Sequence, residues 1–241
     1  MKRFEYLICA LILAVGIAIA GWHVGRGIIH LRTGDRYVTV KGVSERDVTA
    51  DVALWPIRFV STDDDLKKAQ MRIKESKEVI LDFLKRQGIA PSAAQVQRLD
   101  VTDVLANPYR SGETRSRFII SQTLIVRSSD PTLIHKASQA IGELVDAGVV
   151  LSSTGGVNDG PTYLFTGLNQ IKPAMIAEAT ASGREAAEQF ARDSGIKVAG
   201  IRQANQGVFV ILPRDRAPGI MEESEINKTV RVVATIEYYL Q

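Results

Sequence analysis

The most apolar stretch of the chain comes first. Tyr6 to Trp22 (YLICALILAVGIAIAGW) carries no charge and follows Lys2 and Arg3. A membrane-spanning helix takes about 17–25 apolar residues. A secretory signal has a basic start, an apolar stretch of about 7–15 residues and a small-x-small cleavage site. Ala18-Ile19-Ala20 supplies such a site. The reading adopted is an uncleaved anchor over residues 6–22, with 1–5 as a cytoplasmic tail under the positive-inside rule and 23–36 as a linker. The alternative is cleavage near Ala20. In both, the remainder of the chain is exported.

From Tyr37 the pattern becomes regular. Tyr37–Lys41 (YVTVK) reads as a short strand stopped by Gly42. Val48–Val60 alternates Val48, Ala50, Val52 and Leu54, the period of a strand. Pro56 has no N–H for a ladder, so this strand is expected at an edge or at a bulge. Asp63-Asp64-Asp65 opens a helix with Leu66, Ala69, Ile73, Ile80, Phe83 and Leu84 on one face, ended by Gly88. Residues 95–105 and 116–127 read as strands joined by the polar loop Asn107–Arg115. A helix over 130–146 carries Leu133, Ala137, Ile141, Leu144 and Val145, and Gly148 ends it. Strands follow at 149–153 and 161–167, separated by a glycine-rich turn over Gly155–Gly160. Lys172–Ser194 is a helix with a small-residue face of Ala177, Thr180, Gly183, Ala187 and Ala191. Residues 197–212 hold one or two strands, and 228–240 is the last.

The order strand 48–60, helix 63–87, strands 95–105 and 116–127 recurs as strand 161–167, helix 172–194, strands 197–212 and 228–240. This predicts an α+β fold of repeated β-α-β-β units, with largely antiparallel sheet and packed helices, behind one N-terminal apolar helix. The pattern fits a tandem duplication.

Charge changes the picture once it is split. Of 30 basic and 27 acidic residues, five basic and two acidic fall in residues 1–36, leaving 25 of each in 37–241. The folded part therefore lacks the basic surplus of a nucleic-acid binder. A single cysteine, Cys9, excludes an internal disulfide framework and a cysteine-rich zinc site. Cys9 is not a lipoprotein signal, because Tyr6-Leu7-Ile8 lack the small residue that site needs.

Candidate chemistry is sparse. His135, in LIHKAS, is the lone histidine of the exported part, and no nucleophile elbow accompanies it. Asp63–Asp65 and Glu222, Glu223 and Glu225 cluster, and both read as solvated charge rather than metal ligands. The Gly155–Gly160 loop lacks the lysine and Ser/Thr of a phosphate cradle. Arg110, Arg115 and Arg117 offer cations to an anion or lipid headgroup, or simply solubilise a hairpin tip. Asn227-Lys228-Thr229 is a glycosylation triplet of a kind frequent by chance. No catalytic, cofactor-binding or metal residue is assigned, and the protein is read as a non-enzyme.

One set of residues resembles a known family. Tyr37-Val-Thr-Val-Lys-Gly42, Ser44-Glu45-Arg46 and Ala50-Asp51-Val-Ala53-Leu-Trp55-Pro56 are similar to the SIMPL-domain family of bacterial envelope proteins. So are the helix around Ala177–Ala187, the following Gly195-Ile196-Lys197-Val198, and the final strand from Val230 to Tyr238. The resemblance covers residues 37–241. It implies an envelope protein of a family in which some members form large rings and some are linked to oxidative-stress defence. It transfers no catalytic residue. The apolar leader departs from the simplest members in looking like an anchor.

The expectation is thus a single-pass inner-membrane protein whose C-terminal domain lies in the periplasm. Its partners are the membrane, through the N-terminal helix, and further copies of itself, through strand edges such as 48–60 or 228–240. No nucleic acid and no cofactor is expected. The alternative is a periplasmic binding module that takes a lipid or small amphiphile at the Arg110–Arg117 loop.

Overall fold

The computed structural model describes residues 13–25, 36–106, 116–153 and 160–241. Helix α1 spans 13–25. Among the described residues no helix is long and apolar enough to cross a membrane. Residues 6–12 of the expected anchor lie outside the described residues.

The chain divides into two compact units. The larger holds residues 45–175 and 209–231. Its centre is an antiparallel sheet in the order β3-β4-β2-β5, built from β2 (Val52–Asp63), β3 (Ala94–Asp103), β4 (Phe118–Ser128) and β5 (Thr162–Leu164). On one face the β2–β4 register pairs Trp55 with Val126, Ile57 with Leu124, Phe59 with Gln122 and Ser61 with Ile120. Helix α2 (Leu66–Arg86) buries Ala69, Ile73, Ile80, Phe83 and Leu84. Its Phe83 ring meets Trp55 edge-on at 6.5 Å. Asp65, at its N-cap, accepts the amides of Lys67 and Lys68, and Gly88 leaves the helix at φ +82°.

Strand 48–60 was expected as one strand, at an edge or at a bulge because of Pro56, and the structure overturns this: 48–49 end β1, β2 opens at Val52, and its register with β4 carries no bulge. β2 lies between β4 and β5. The Val60 amide donates to Val150, on the side away from β4. Alternate residues share that direction, so the Pro56 nitrogen points the same way. There β5 has already stopped opposite Leu54, and the next bridge, to Leu151, begins at Phe59. Proline sits in the gap and costs no ladder bond.

Other boundaries shift for local reasons. The single helix expected over 130–146 divides into α3 (Pro131–Gln139) and α4 (Gly142–Asp146), because Ala140 and Ile141 donate three residues back. Segment 149–153 forms only the single bridge between Leu151 and Phe59. The Gly155–Gly160 turn lies mostly outside the described residues.

The smaller unit holds residues 1–44, 176–208 and 232–241. Strand β1 (Tyr37–Thr49) does not stop at Gly42 but runs through it. The other elements are α5 (Leu168–Asp193), β6 (Val198–Gln206) and β8 (Asn227–Leu240), and the strand order is β1-β8-β6. β7 (Val210–Pro213) pairs with the first residues of β8, 228–231, in the larger unit. Val40, Val232, Ala234, Ile236 and Tyr238 are buried, as are Ala179, Ala187 and Ala191 of α5. The small face of α5 serves one close approach. A Cβ built on Gly42 would stand 1.8 Å from the Ala179 carbonyl oxygen and 2.5 Å from the Gly183 nitrogen.

The predicted repeat holds in sequence but not in pairing. β5 joins the sheet of the larger unit, beside β2. In the smaller unit β1 takes the position beside β8 that β2 takes beside β4.

Gly42→Ala is expected to lower stability by about 3 kcal/mol, because the added methyl meets backbone rather than a movable side chain. Gly142→Ala, where a Cβ meets nothing within 4 Å, is expected to be neutral or slightly stabilising. Urea midpoints of the full chain in mild detergent measure both.

Candidate functional site

The residues of the β1–β2 stretch prove to be structural. Ser44, 4% exposed, donates through Oγ to Glu178 Oε2 at 2.7 Å. The Asp51 carboxylate accepts the Thr166 amide at 2.9 Å and the Thr166 hydroxyl at 2.9 Å, tying the start of β2 to the exit of β5. Asp47 accepts the Thr229 hydroxyl at 2.6 Å, and Glu45 pairs with Arg231 at 3.2 Å.

The candidate chemical residues are spread through the larger unit rather than gathered. His135 Nδ1 lies 3.1 Å from the Tyr163 hydroxyl. Burial pushes the Tyr163 hydroxyl up from its ordinary pKa, and the nearby Glu225 carboxylate adds to this. A histidine against a neutral phenol lacks the nucleophile and orienting acid of a triad. The aspartates of 63–65 each have a local task. Asp63 accepts the Asp65 amide at 2.9 Å, the main cause of its lowered pKa, and pairs with Arg72 at 3.1 Å. Asp64 accepts the Arg117 amide at 3.0 Å, and Asp65 caps α2. Among the described residues no group of His, Cys, Asp or Glu could hold a metal ion.

Glu222 meets the ammonium of Lys228, which is fully buried. Lys228 also donates to the Glu222 carbonyl. The glycosylation triplet therefore runs along β8 with Lys228 and Thr229 buried. Arg117 is held by Asp103, Nη2 to Oδ2 at 2.9 Å, and stacks over Phe118 at 4.8 Å. Arg110 and Arg115 lie outside the described residues.

Two surface features remain. A cleft of about 390 Å³ lies among Ser61, Arg72, Glu75, Ser76 and the 147–150 segment. The Ser61 Oγ has no hydrogen-bond partner, but it is fully shielded and offers no handle to a ligand. Arg72 is engaged by Asp63 and by the Thr62 carbonyl at 3.1 Å.

The second feature is β3. Among the described residues it pairs only with β4, and its other edge is unpaired. Val96, Leu99 and Val101 stand 49%, 55% and 54% exposed. Leu99 and Val101 form one wall of a small apolar groove against Leu66 and Ile73 of α2. Sequence reasoning placed this strand but missed its exposure. Three apolar residues in QVQRLDVTD look the same whether or not a helix covers them.

Residues 38–237 match the SIMPL family, described as a protein of unknown function (DUF541). The chain belongs to the SIMPL family. The match spans both units, from β1 into β8. A comparison with curated proteins finds no match. Among solved structures the chain is similar to the regulatory subunit of aspartate kinase from Thermus flavus, with 16% identity over 83% of this chain and 89% of that one. The TM-score of 0.19 carries no argument about fold or function.

Glu222→Gln leaves the buried Lys228 ammonium without its counter-charge and is expected to cost about 3 kcal/mol. Lys228→Met leaves a carboxylate that can turn to water, since Glu222 is 26% exposed, and is expected to cost roughly 1 kcal/mol. Paired denaturation curves test the asymmetry.

Proposed function

We propose that this SIMPL protein is a non-catalytic component of the bacterial cell envelope. Its N-terminal segment tethers it to the inner membrane with the SIMPL domain in the periplasm, and the domain self-associates. The family resemblance supplies the setting, envelope defence under oxidative stress.

The observation that carries this reading is the open edge of β3. A ten-residue strand with an unpaired edge and a half-exposed apolar row is a template for pairing with another chain. Strands 48–60 and 228–240, first expected to make these contacts, lie inside their sheets. The tether is supported by α1. Leu13, Val15, Ile17, Ile19, Trp22 and Val24 are each 51–67% exposed. A helix apolar all round is stable only when something covers it. The binding-module alternative rested on Arg110–Arg117, and Arg117 of that group is already committed to Asp103.

The full chain is expected in the membrane pellet after a high-salt wash, and a chain lacking residues 1–36 in the soluble fraction. A full chain that washes off removes the tether. In mild detergent, the native mass of the full chain is expected to be that of a defined oligomer. A monomer at all concentrations removes self-association.

A further inference from the structure

The self-association reading leaves open which surface meets which, and β3 answers it in its own sequence. Residues directly opposite in an antiparallel pair lie on the same face and interact. On β3, Val96, Leu99 and Val101 lie opposite Leu124, Gln122 and Ile120 of β4, so they share the face turned to α2. Arg98 and Asp100 lie opposite Thr123 and Ser121, on the other face. The break in that alternation is a bulge: the register steps from Val96 to Arg98 while β4 advances by one residue, and Gln97 is the extra residue.

We infer that β3 is the seam of a two-fold dimer, in which β3 of one copy pairs antiparallel with β3 of a second copy, centred on Leu99. This rests on the self-association proposed above and names its surface.

The register follows from charge and from the bulge together. Centred on Leu99, Leu99 faces Leu99, and Arg98 of each copy faces Asp100 of the other. With Gln97 absorbed by the bulge, Val96 of each copy faces Val101 of the other. One face then carries an unbroken apolar row, and the opposite face two reciprocal ion pairs. Neighbouring centres fail. Centring on Asp100 sets two carboxylates against each other, and centring on Arg98 sets two guanidinium groups together. Centring on Val101 leaves both charges without an opposite. Within one copy Arg98 Nε already reaches Asp100 Oδ2 at 2.7 Å, with the two side chains 72% and 46% exposed. Both charges are exposed and already paired with each other, so they can exchange partners across the seam. The apolar groove beside Leu99 and Val101 lies on the face where the second copy brings its own Leu99 and Val96.

The test is a charge-reversal cycle read by native mass of the full chain in mild detergent. Arg98→Asp and Asp100→Arg each place like charges across the seam, and each is expected to lower the wild-type mass to a smaller species. The double variant R98D/D100R restores complementarity in both copies and is expected to restore the mass. A second readout does not depend on how the charge variants fold. Leu99→Cys in a Cys9→Ser background sets two thiols opposite each other and is expected to give a disulfide-linked dimer on mild oxidation. If the wild type is oligomeric while single reversals keep its mass, or no Leu99→Cys dimer forms, this seam is wrong and self-association stands by another surface. If the wild type is monomeric, self-association itself fails, and the seam with it.

Discussion

The larger unit hangs on the ladder between β2 and β4, which runs unbroken from Ala53 opposite Ser128 to Asp63 opposite Phe118. That ladder fixes the face on which Trp55, Ile57 and Phe59 stand, and so the surface on which α2 packs. It also fixes what is left over. β4 has one remaining edge, which β3 takes, and among the described residues no strand follows β3. β2 has the other edge, filled by the three residues of β5 and then by the single bridge to Leu151. The long edge of the sheet falls on β3, a strand with mixed charge and apolar character, and the other edge on the three-residue β5.

The two units show one order solved twice with different pieces of chain. In the larger, a strand, helix α2 and two more strands follow in sequence and pair as β2-β4-β3. In the smaller, α5, β6 and β8 follow in sequence, but the strand beside β8 is β1 from the far end of the chain. The short β5, which the repeat in sequence assigns to that position, reinforces β2 instead. The approach of β1 to α5 at Gly42 and Gly183 explains why a glycine sits in the middle of the strand. It marks the point where two backbones meet with no side chain between them.

Much of this was legible beforehand. The period of Ala69, Ile73, Ile80 and Phe83 reports burial on one face, and α2 lies where that pattern places it. The alternation of Val48, Ala50, Val52 and Leu54 does not hold: Val48 belongs to β1, β2 opens at Val52, and its buried row is Ala53, Trp55, Ile57 and Phe59. The errors came where one residue type serves two geometries. Gly42 reads as a stop signal, yet a glycine also admits close packing within a strand. Pro56 reads as an edge marker, yet it needs only a missing neighbour on one side. Ala140 and Ile141 continue a helical pattern, and only hydrogen bonds decide that the turn tightens there. The open edge of β3 was the least legible feature, since exposure depends on what the rest of the chain fails to cover. The tie between Asp51 and Thr166 spans 115 positions of sequence, a distance at which no local pattern reports a contact.

The division of the smaller unit between the two ends of the chain bears on how the protein is made. Chains emerge from the N-terminus and tend to fold domain by domain as they appear. The larger unit's central segment, 45–175, is complete while much of the chain is still to come. β1 emerges before it, yet its neighbour β8 ends one residue from the C-terminus. Until β8 is made, β1 stands without the strand that completes its sheet, although α5, which covers Gly42, ends earlier at Asp193. Closure of that unit is a non-local step across nearly the whole chain, the slow kind in folding kinetics. Among the described strands, the one held longest in waiting is therefore β1.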